Sequence, residues 1–113
     1  GWHVPTDEEW NVMIDVLGGQ YLAGGQMKTD YGWYNDGNGS NTSGFSGMPG
    51  GARTFCCGAS SGNFHNAGGN GDWWSSTSSE SHAWHRGLSN GSDFVNRDDN
   101  DRRTGYSVRC IKD

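Results

Sequence analysis

The chain has 113 residues, 31% of them hydrophobic, and a formal charge of −5 with only eight Lys and Arg. That length makes one domain; the scattered basic residues supply no patch of the kind nucleic acid needs, and no apolar run approaches the ~18 residues of a membrane span. Six Trp, four Tyr and four Phe stand in for missing aliphatics, since each large ring buries on the order of 150–250 Å², and twenty Gly point to turns and tight backbone approaches rather than long helices.

Pro5-Thr6-Asp7-Glu8-Glu9 opens the one convincing helix. Thr6 is a natural N-cap and Glu9 stands at the third helical position, which completes a capping box. Asp7 and Glu8 put negative charge at the positive end of the helix dipole, so the three acids read as capping residues and not as general acid–base groups. Trp10, Met13, Ile14 and Leu17 recur at helical spacing and form a core stripe. Gly18-Gly19 ends the helix as a left-handed cap.

Residues 20–72 are rich in Gly, Asn and Ser, with isolated anchors at Tyr21, Leu22, Trp33, Tyr34, Phe45, Phe55 and Phe64. They predict a long irregular region pinned by aromatics, with short strands near 45–48 and 51–55 and a turn at Met48-Pro49-Gly50-Gly51. Strands follow at roughly 72–77, 82–88, 93–97 and 105–111. One helix followed by antiparallel strands is an α+β arrangement.

The segment from Trp73 to Cys110 is the most informative. Trp84, Arg86 and Leu88 alternate with His85 and Gly87, and Val95 and Arg97 alternate with Asn96 and Asp98. The large set (Trp84, Arg86, Leu88, Val95, Arg97) is expected to be mostly buried, and each arginine then needs a carboxylate or carbonyl partner. The small polar set (His85, Gly87, Ser89, Gly91, Asn96, Asp98) is expected to face outward, as in an adaptable binding surface.

Three cysteines, two of them the adjacent Cys56 and Cys57, show neither zinc spacing nor a CxxC motif. Cys110 is either a thiol separated from an upstream disulfide partner or a buried free thiol. The start at Gly1, without Met or a signal peptide, leads us to expect an excised domain whose targeting segment is missing.

GWHVPTDEEW, GFSGMPGGAR, WWSST and GYSVRCIKD, in that order, resemble the Fibrobacter succinogenes major paralogous domain of the C-type lectin-like superfamily, over essentially the whole chain. PTDEEW is also similar to the helix of formylglycine-generating enzymes, a related branch. The resemblance implies a C-type lectin-like α+β fold over residues 1–113: one main helix on a mainly antiparallel sheet, with a long irregular Gly/Asn-rich loop region. It implies the C-terminal part of a longer bacterial surface protein, lipoprotein or fimbrial adhesin. In the family a Cys-Pro pair commonly precedes GWHVP, which bears on Cys110. Some proteins of this branch are targets of diversity-generating retroelements, whose randomised codons exclude Lys, Glu, Gln, Met and Trp. Those five types account for fifteen residues up to Trp84 and for none of the twenty from His85 to Thr104.

Catalysis finds little support. Ser75, Ser76 and Thr77 lack a strand–turn–helix elbow and an oriented base, so their hydroxyls are expected to bond backbone. An oxidase like the formylglycine-generating enzymes needs a late cysteine pair, and only Cys110 lies there. The acidic run Asp98-Asp99-Asn100-Asp101 has the oxygen chemistry for calcium. However, Arg97, Arg102 and Arg103 flank and offset it, and the EPN and WND signatures are missing, so no cofactor is expected. Asp36-x-Asn38-x-Ser40 is a weak EF-hand echo. The four histidines lack metal-ligand spacing; His82 and His85 are expected on the binding face, His3 and His65 in structural roles. Trp73, Trp74 and Trp84 suit a sugar platform, but core packing accounts for them better. The sequons at Asn38, Asn41 and Asn90 matter only in a eukaryotic host.

The expected function is therefore a surface-displayed, adhesin-like recognition module at the cell surface or outside the cell. Its ligand is a protein or a glycan on another cell or surface, with no nucleic acid and no membrane insertion. The contacting face comprises His82, His85, Gly87, Ser89, Asn90, Gly91, Asp93, Phe94, Asn96, Asp98, Asp99, Asn100, Asp101 and Arg103. The alternative is a non-diversified structural or carbohydrate-binding domain.

Overall fold

Helix α1 spans Asp7–Val16 and begins as its sequence dictates. Thr6 Oγ1 accepts the Glu9 backbone N–H at 3.1 Å, and the Glu9 carboxylate accepts the Thr6 N–H at 2.8 Å. Trp10 and Ile14 are buried, and Met13 and Leu17 pack against them. Past Leu17, Gly18 and Gly19 take φ of 98° and 96°, a left-handed turn that stops the helix.

The computed structural model describes residues 1–55 and 61–113, so Cys56 and Cys57 lie outside the described residues. In chain order the elements are β1 (Trp2–His3), α1, α2 (Ala23–Met27), β2 (Ala52–Arg53), β3 (Phe64–His65), β4 (Asn70–Ser79), β5 (His82–Ser89), β6 (Asn96–Asp101) and β7 (Ile111–Lys112). Strands β4, β5 and β6 form a three-stranded antiparallel sheet with β5 in the centre; β1 pairs with β7 and β2 with β3, also antiparallel. The result is a mixed α+β architecture, mostly β. No helix among the described residues is long and apolar enough to cross a membrane.

The register sorts the sheet's side chains. Trp73 stands opposite Arg86 and Arg86 opposite Arg97, whereas Trp74 stands opposite His85 and His85 opposite Asp98. The first row faces α1. There the core joins Trp10, Ile14, Met27, Trp33, Phe45, Trp73, Leu88 and Val95, with edge-to-face contacts of Phe45 to Trp10 and to Trp73 at centroid distances of 5.7 and 5.3 Å. Aromatics and four aliphatic-type side chains close it, as the composition requires.

The two arginines on this face converge on Asp7. Arg86, 2% exposed, donates from Nη2 to the Asp7 carbonyl (3.0 Å), to Asp7 Oδ1 (2.7 Å) and to Asn11 Oδ1 (2.8 Å). Arg97 donates from Nε and Nη2 to Asp7 Oδ2 at 3.0 and 2.8 Å and lies 3.8 Å over the Trp84 ring. Burial pulls the Arg86 guanidinium below its ordinary value, partly offset by Asp7; hydrogen bonding to Asp7 raises that of Arg97.

Several boundaries differ from expectation. Helix α2 is additional: AGGQM holds two glycines and reads as a loop, yet tertiary packing buries Ala23, Gly24 and Met27. The third sheet strand runs Asn96–Asp101 instead of 93–97, because the Asp93 carbonyl and the Val95 N–H are taken by Gly24 and Gln20. The expected strand at 105–111 is not continuous. Gly105 pairs with Arg53, Ser107 with the edge of β4, and only Ile111–Lys112 with β1, so the chain changes partners every few residues. No strand forms at 45–48, where Gly47 makes a single bridge to Lys28, and the second short strand is only Ala52–Arg53. Residues 20–72 therefore contain a short helix and a two-stranded ribbon.

Replacing Asp7 by Asn keeps the shape and removes the charge that two guanidiniums share, one of them buried. The expected loss in urea unfolding is about 3–5 kcal/mol, against about 1 kcal/mol for Thr6→Ala at the cap. Equal losses for the two variants would show that the ion cluster does not tie helix to sheet.

Candidate functional site

The residues from His82 to Thr104 divide into three groups. On the sheet face away from α1 stand His85, Gly87, Asn96, Asp98 and Asn100. On the α1 side, beyond the helix's cover, His82, Asp99 and Asp101 line the far end of β5 and β6. At the other end, Ser89 closes β5 and residues 90–95 form the loop that leads to β6. One continuous face does not hold them all.

The first group corrects two expectations. His85 is 5% exposed and Gly87 is buried. The alternation is right, but this face is roofed: Tyr106 lies over His85 and beside Trp74, with ring centroids 4.6 Å from each. Tyr106 is held by the amide of Asn100, which donates to its hydroxyl at 2.8 Å, and burial pushes its phenol upward in pKa. His85 Nδ1 lies 3.4 Å from Asp72 Oδ1 without a well-formed hydrogen bond. Gly87 faces Asp72, whose carboxylate occupies the space a side chain would need. Ser89 is half-buried, and Asn96 and Asp98 are exposed as expected.

Arg97 is a third correction. Its side chain is 42% exposed, because β6 is the sheet edge and only one side of the guanidinium meets Asp7; Trp84 beneath it is half-buried. Arg86, Leu88 and Val95 are buried as expected.

In the second group one acid is neutralised by an arginine and the other lies beside a histidine. Arg103 grips Asp101 with two hydrogen bonds of 2.9 Å, which hold that carboxyl well below the usual carboxylate range. Asp99 accepts from Ser79 Oγ at 3.0 Å and lies 3.5 Å from His82 Nδ1. Arg102 donates to the carbonyls of Glu80 and His82. Among the described residues no three His, Cys, Asp or Glu side chains gather in the manner of metal ligands.

The third group is fixed by its backbone. Lys28, buried, donates to the carbonyls of Ser89 and Ser92 at 3.1 and 3.0 Å, and its ammonium lies 4.0 Å from Asp93 Oδ1. Burial lowers its pKa. Gly24 donates to the Asp93 carbonyl at 2.9 Å, and the Asn90 N–H donates to Gly69 at 2.9 Å. At Gly24 any β-carbon would collide with the Asp93 backbone, and at Gly37 with that of Asn90. Side chains, in contrast, are available: Ser92 and Asp93 are exposed, Asp93 at 59%, Gly91 between the strands lies open to solvent, and the half-buried Phe94 pairs with the exposed Tyr21 at 5.4 Å. The sequence reading missed Lys28, although it is one of only two lysines in the chain and sits alone in a Gly/Asn-rich stretch. Tyr106 falls within the strand expected at 105–111, and its place over His85 has no local signal.

The other candidate chemistries can be placed. Ser75 Oγ donates to the Trp84 carbonyl at 2.8 Å and Thr77 Oγ1 accepts the Asp7 N–H at 2.9 Å, so these hydroxyls bond backbone. Cys110 is exposed, which overturns its reading as a buried thiol. His3 bridges Asp113 (2.6 Å) and Glu9 (3.0 Å), and these hydrogen bonds raise its pKa. His65 is exposed and bonds Thr54 Oγ1. Trp73 is buried in the core, and Trp74 is covered by Tyr106 on one side.

Fold and site together define a small α+β domain in which a polar sheet edge and a pinned loop are carried on an aromatic core. The model of the Fibrobacter succinogenes major domain family matches residues 1–112, and the chain belongs to that family. No curated protein and no solved structure matches it.

Substituting Lys28 by Ala leaves the carbonyls of Ser89 and Ser92 without their buried donor, at a cost of about 1–3 kcal/mol. The expected signature is local: amide exchange at Asn90 and Val95 accelerates well before that of β5. Uniform acceleration across the sheet would mean that Lys28 supports the core as a whole and not the loop.

Proposed function

We propose that this chain is a surface-displayed recognition module of C-type lectin-like architecture that binds and does not catalyse. Its contact surface is the 89–94 loop with the exposed edge of β6, above all Asp93, Phe94, Asn96 and Asp98. The ligand is a protein or a glycan presented outside the cell, and no cofactor takes part. The observation that carries this reading is the contrast between a loop backbone held by Gly24, Lys28 and Gln20 and the exposed side chains of Ser92, Asp93, Asn96 and Asp98. A surface ordered before binding loses less conformational entropy on contact. His85 and Gly87 belong to the support of this surface, under Tyr106, and not to its contact layer.

Alanine at Asp93, Phe94, Asn96 and Asp98 together should abolish attachment of the displayed domain to its target cells or matrix. The melting temperature should fall only modestly: changes at the exposed Asp93, Asn96 and Asp98 typically cost under about 0.5 kcal/mol each, and the half-buried Phe94 adds the loss of its contact with Tyr21. Retained attachment with a large loss of stability would favour the alternative, a structural domain of a surface lipoprotein or fimbrial protein.

We further propose that the stretch from His85 to Thr104 is retroelement-diversified, on the ground that Lys, Glu, Gln, Met and Trp are all missing from it. Its variable codons are then expected at Gly91, Asp93, Phe94 and Asp98, where new side chains cost the fold little. Sequencing the locus should find a reverse transcriptase and a near-identical template repeat differing at adenines. A locus without the repeat removes this proposal and leaves the recognition reading standing.

A further inference from the structure

A cavity of about 340 Å³ opens between the second half of α1, the Gly19–Tyr21 turn and the α1-facing side of β5 and β6. That volume falls at the lower end of the ~300–1,000 Å³ typical of small-molecule sites. Its walls are mixed: the polar Asn11, Asp15, Gln20, Arg86 and Arg97 line it together with the apolar Ile14 and Val95 and the ring of Tyr21.

Three features define the ligand it suits. The first is charge balance. Arg86 and Arg97 are offset by the Asp7 carboxylate they share and by Asp15, so neither a simple anion nor a cation gains from entering. The second is unspent hydrogen bonding. The Asp15 and Gln20 side chains are engaged by no other described residue, and Arg86 keeps a buried Nε–H without an acceptor. Acceptors and donors thus stand side by side, which matches vicinal hydroxyls that must give and take hydrogen bonds at once. The third is an aromatic face. Tyr21 is 72% exposed, yet its ring is steadied by Phe94 at 5.4 Å, so it offers a fixed flat surface for the C–H face of a ring.

We propose that this cavity is a subsite for one neutral sugar unit. Tyr21 stacks on the ring, Asp15 and Gln20 bond its hydroxyls, and Asn11 and the arginines close the inner wall. This rests on the recognition reading and narrows its ligand to a neutral glycan, whose next units reach Phe94 and the 89–94 loop.

The test is titration of the chain with glucose, galactose and N-acetylglucosamine, followed by amide chemical shifts, with acetate and inorganic phosphate as charged controls. At least one sugar should shift Gly19, Tyr21 and Val95 saturably. Tyr21→Ala and Asp15→Ala should each weaken it about tenfold, equivalent to about 1.4 kcal/mol, with the fold kept because both positions are exposed. The Asn96→Ala, Asp98→Ala double variant should leave the sugar titration unchanged, so failure of the loop-and-edge surface and failure of the cavity are separable. No saturable shift with any of the three sugars, tighter binding of acetate or phosphate, or binding indifferent to Tyr21→Ala would each overturn the proposal.

Discussion

One carboxylate joins the helix to the sheet. Asp7 sits in the first turn of α1 and accepts from guanidiniums on two strands, Arg86 in the centre of the sheet and Arg97 at its edge. Its own N–H is taken by Thr77 of β4. All three strands of the sheet are therefore referred to one residue, and the angle at which α1 crosses them follows. Removing charges from water is costly, and Asp7 alone does not balance two guanidiniums; Asp15, in the wall of the same cavity, supplies the second negative charge. Stacking of Arg97 on Trp84 and the further acceptors around Arg86 offset part of that cost. The half of Arg97 left to solvent fits its place at the edge, where water solvates the side of the guanidinium that Asp7 does not meet.

The glycine content has a related explanation. Several glycines of α2 and of the stretch after it lie against other backbone, while Trp33 and Phe45 of the same stretch enter the core. Gly24 and Gly37 touch the main chain of the 89–94 loop directly, at distances a side chain would forbid. Order in that loop is thus achieved by backbone-to-backbone contact and by one buried lysine, with almost no aliphatic packing. This is how a domain with so few aliphatics holds a polar loop in one conformation.

What could be read in advance follows the range of the interactions. The capping box at Thr6 and Glu9, the stripe from Trp10 to Leu17 and the alternation through Trp84–Leu88 depend on neighbours within a few residues. Each of these appears in the structure as the sequence implies. The need of Arg86 and Arg97 for a carboxylate was also legible, but not that Asp7, which reads as a helix-dipole residue, would serve both. The failures are all long-range. Helix α2 carries two glycines and exists because its tertiary setting buries it; β6 starts late because Asp93 and Val95 are claimed by the α2 region. His85 is outward by register and buried in fact, since Tyr106, twenty-one positions away, covers it. Alternation reports which way a side chain points, and says nothing of what the chain later lays on top of it.

The exposed edge of β6 constrains how any partner can be held. An unpaired edge invites addition of a strand from another chain. Here the strand carries Arg97, Asp98, Asp99 and Asp101 within its six residues or beside the loop that follows. Such charges disfavour a second strand laid along them, because like-charged or unpaired groups would be desolvated against its backbone. The recognition proposed at this edge then proceeds through side chains and not through main-chain ladder bonds. Side-chain recognition is the kind that substitutions can retune without touching the register of the sheet. The charges that protect the fold from edge-to-edge association are thus compatible with the variability proposed for this surface, provided that Arg97, which belongs to the Asp7 cluster, is kept.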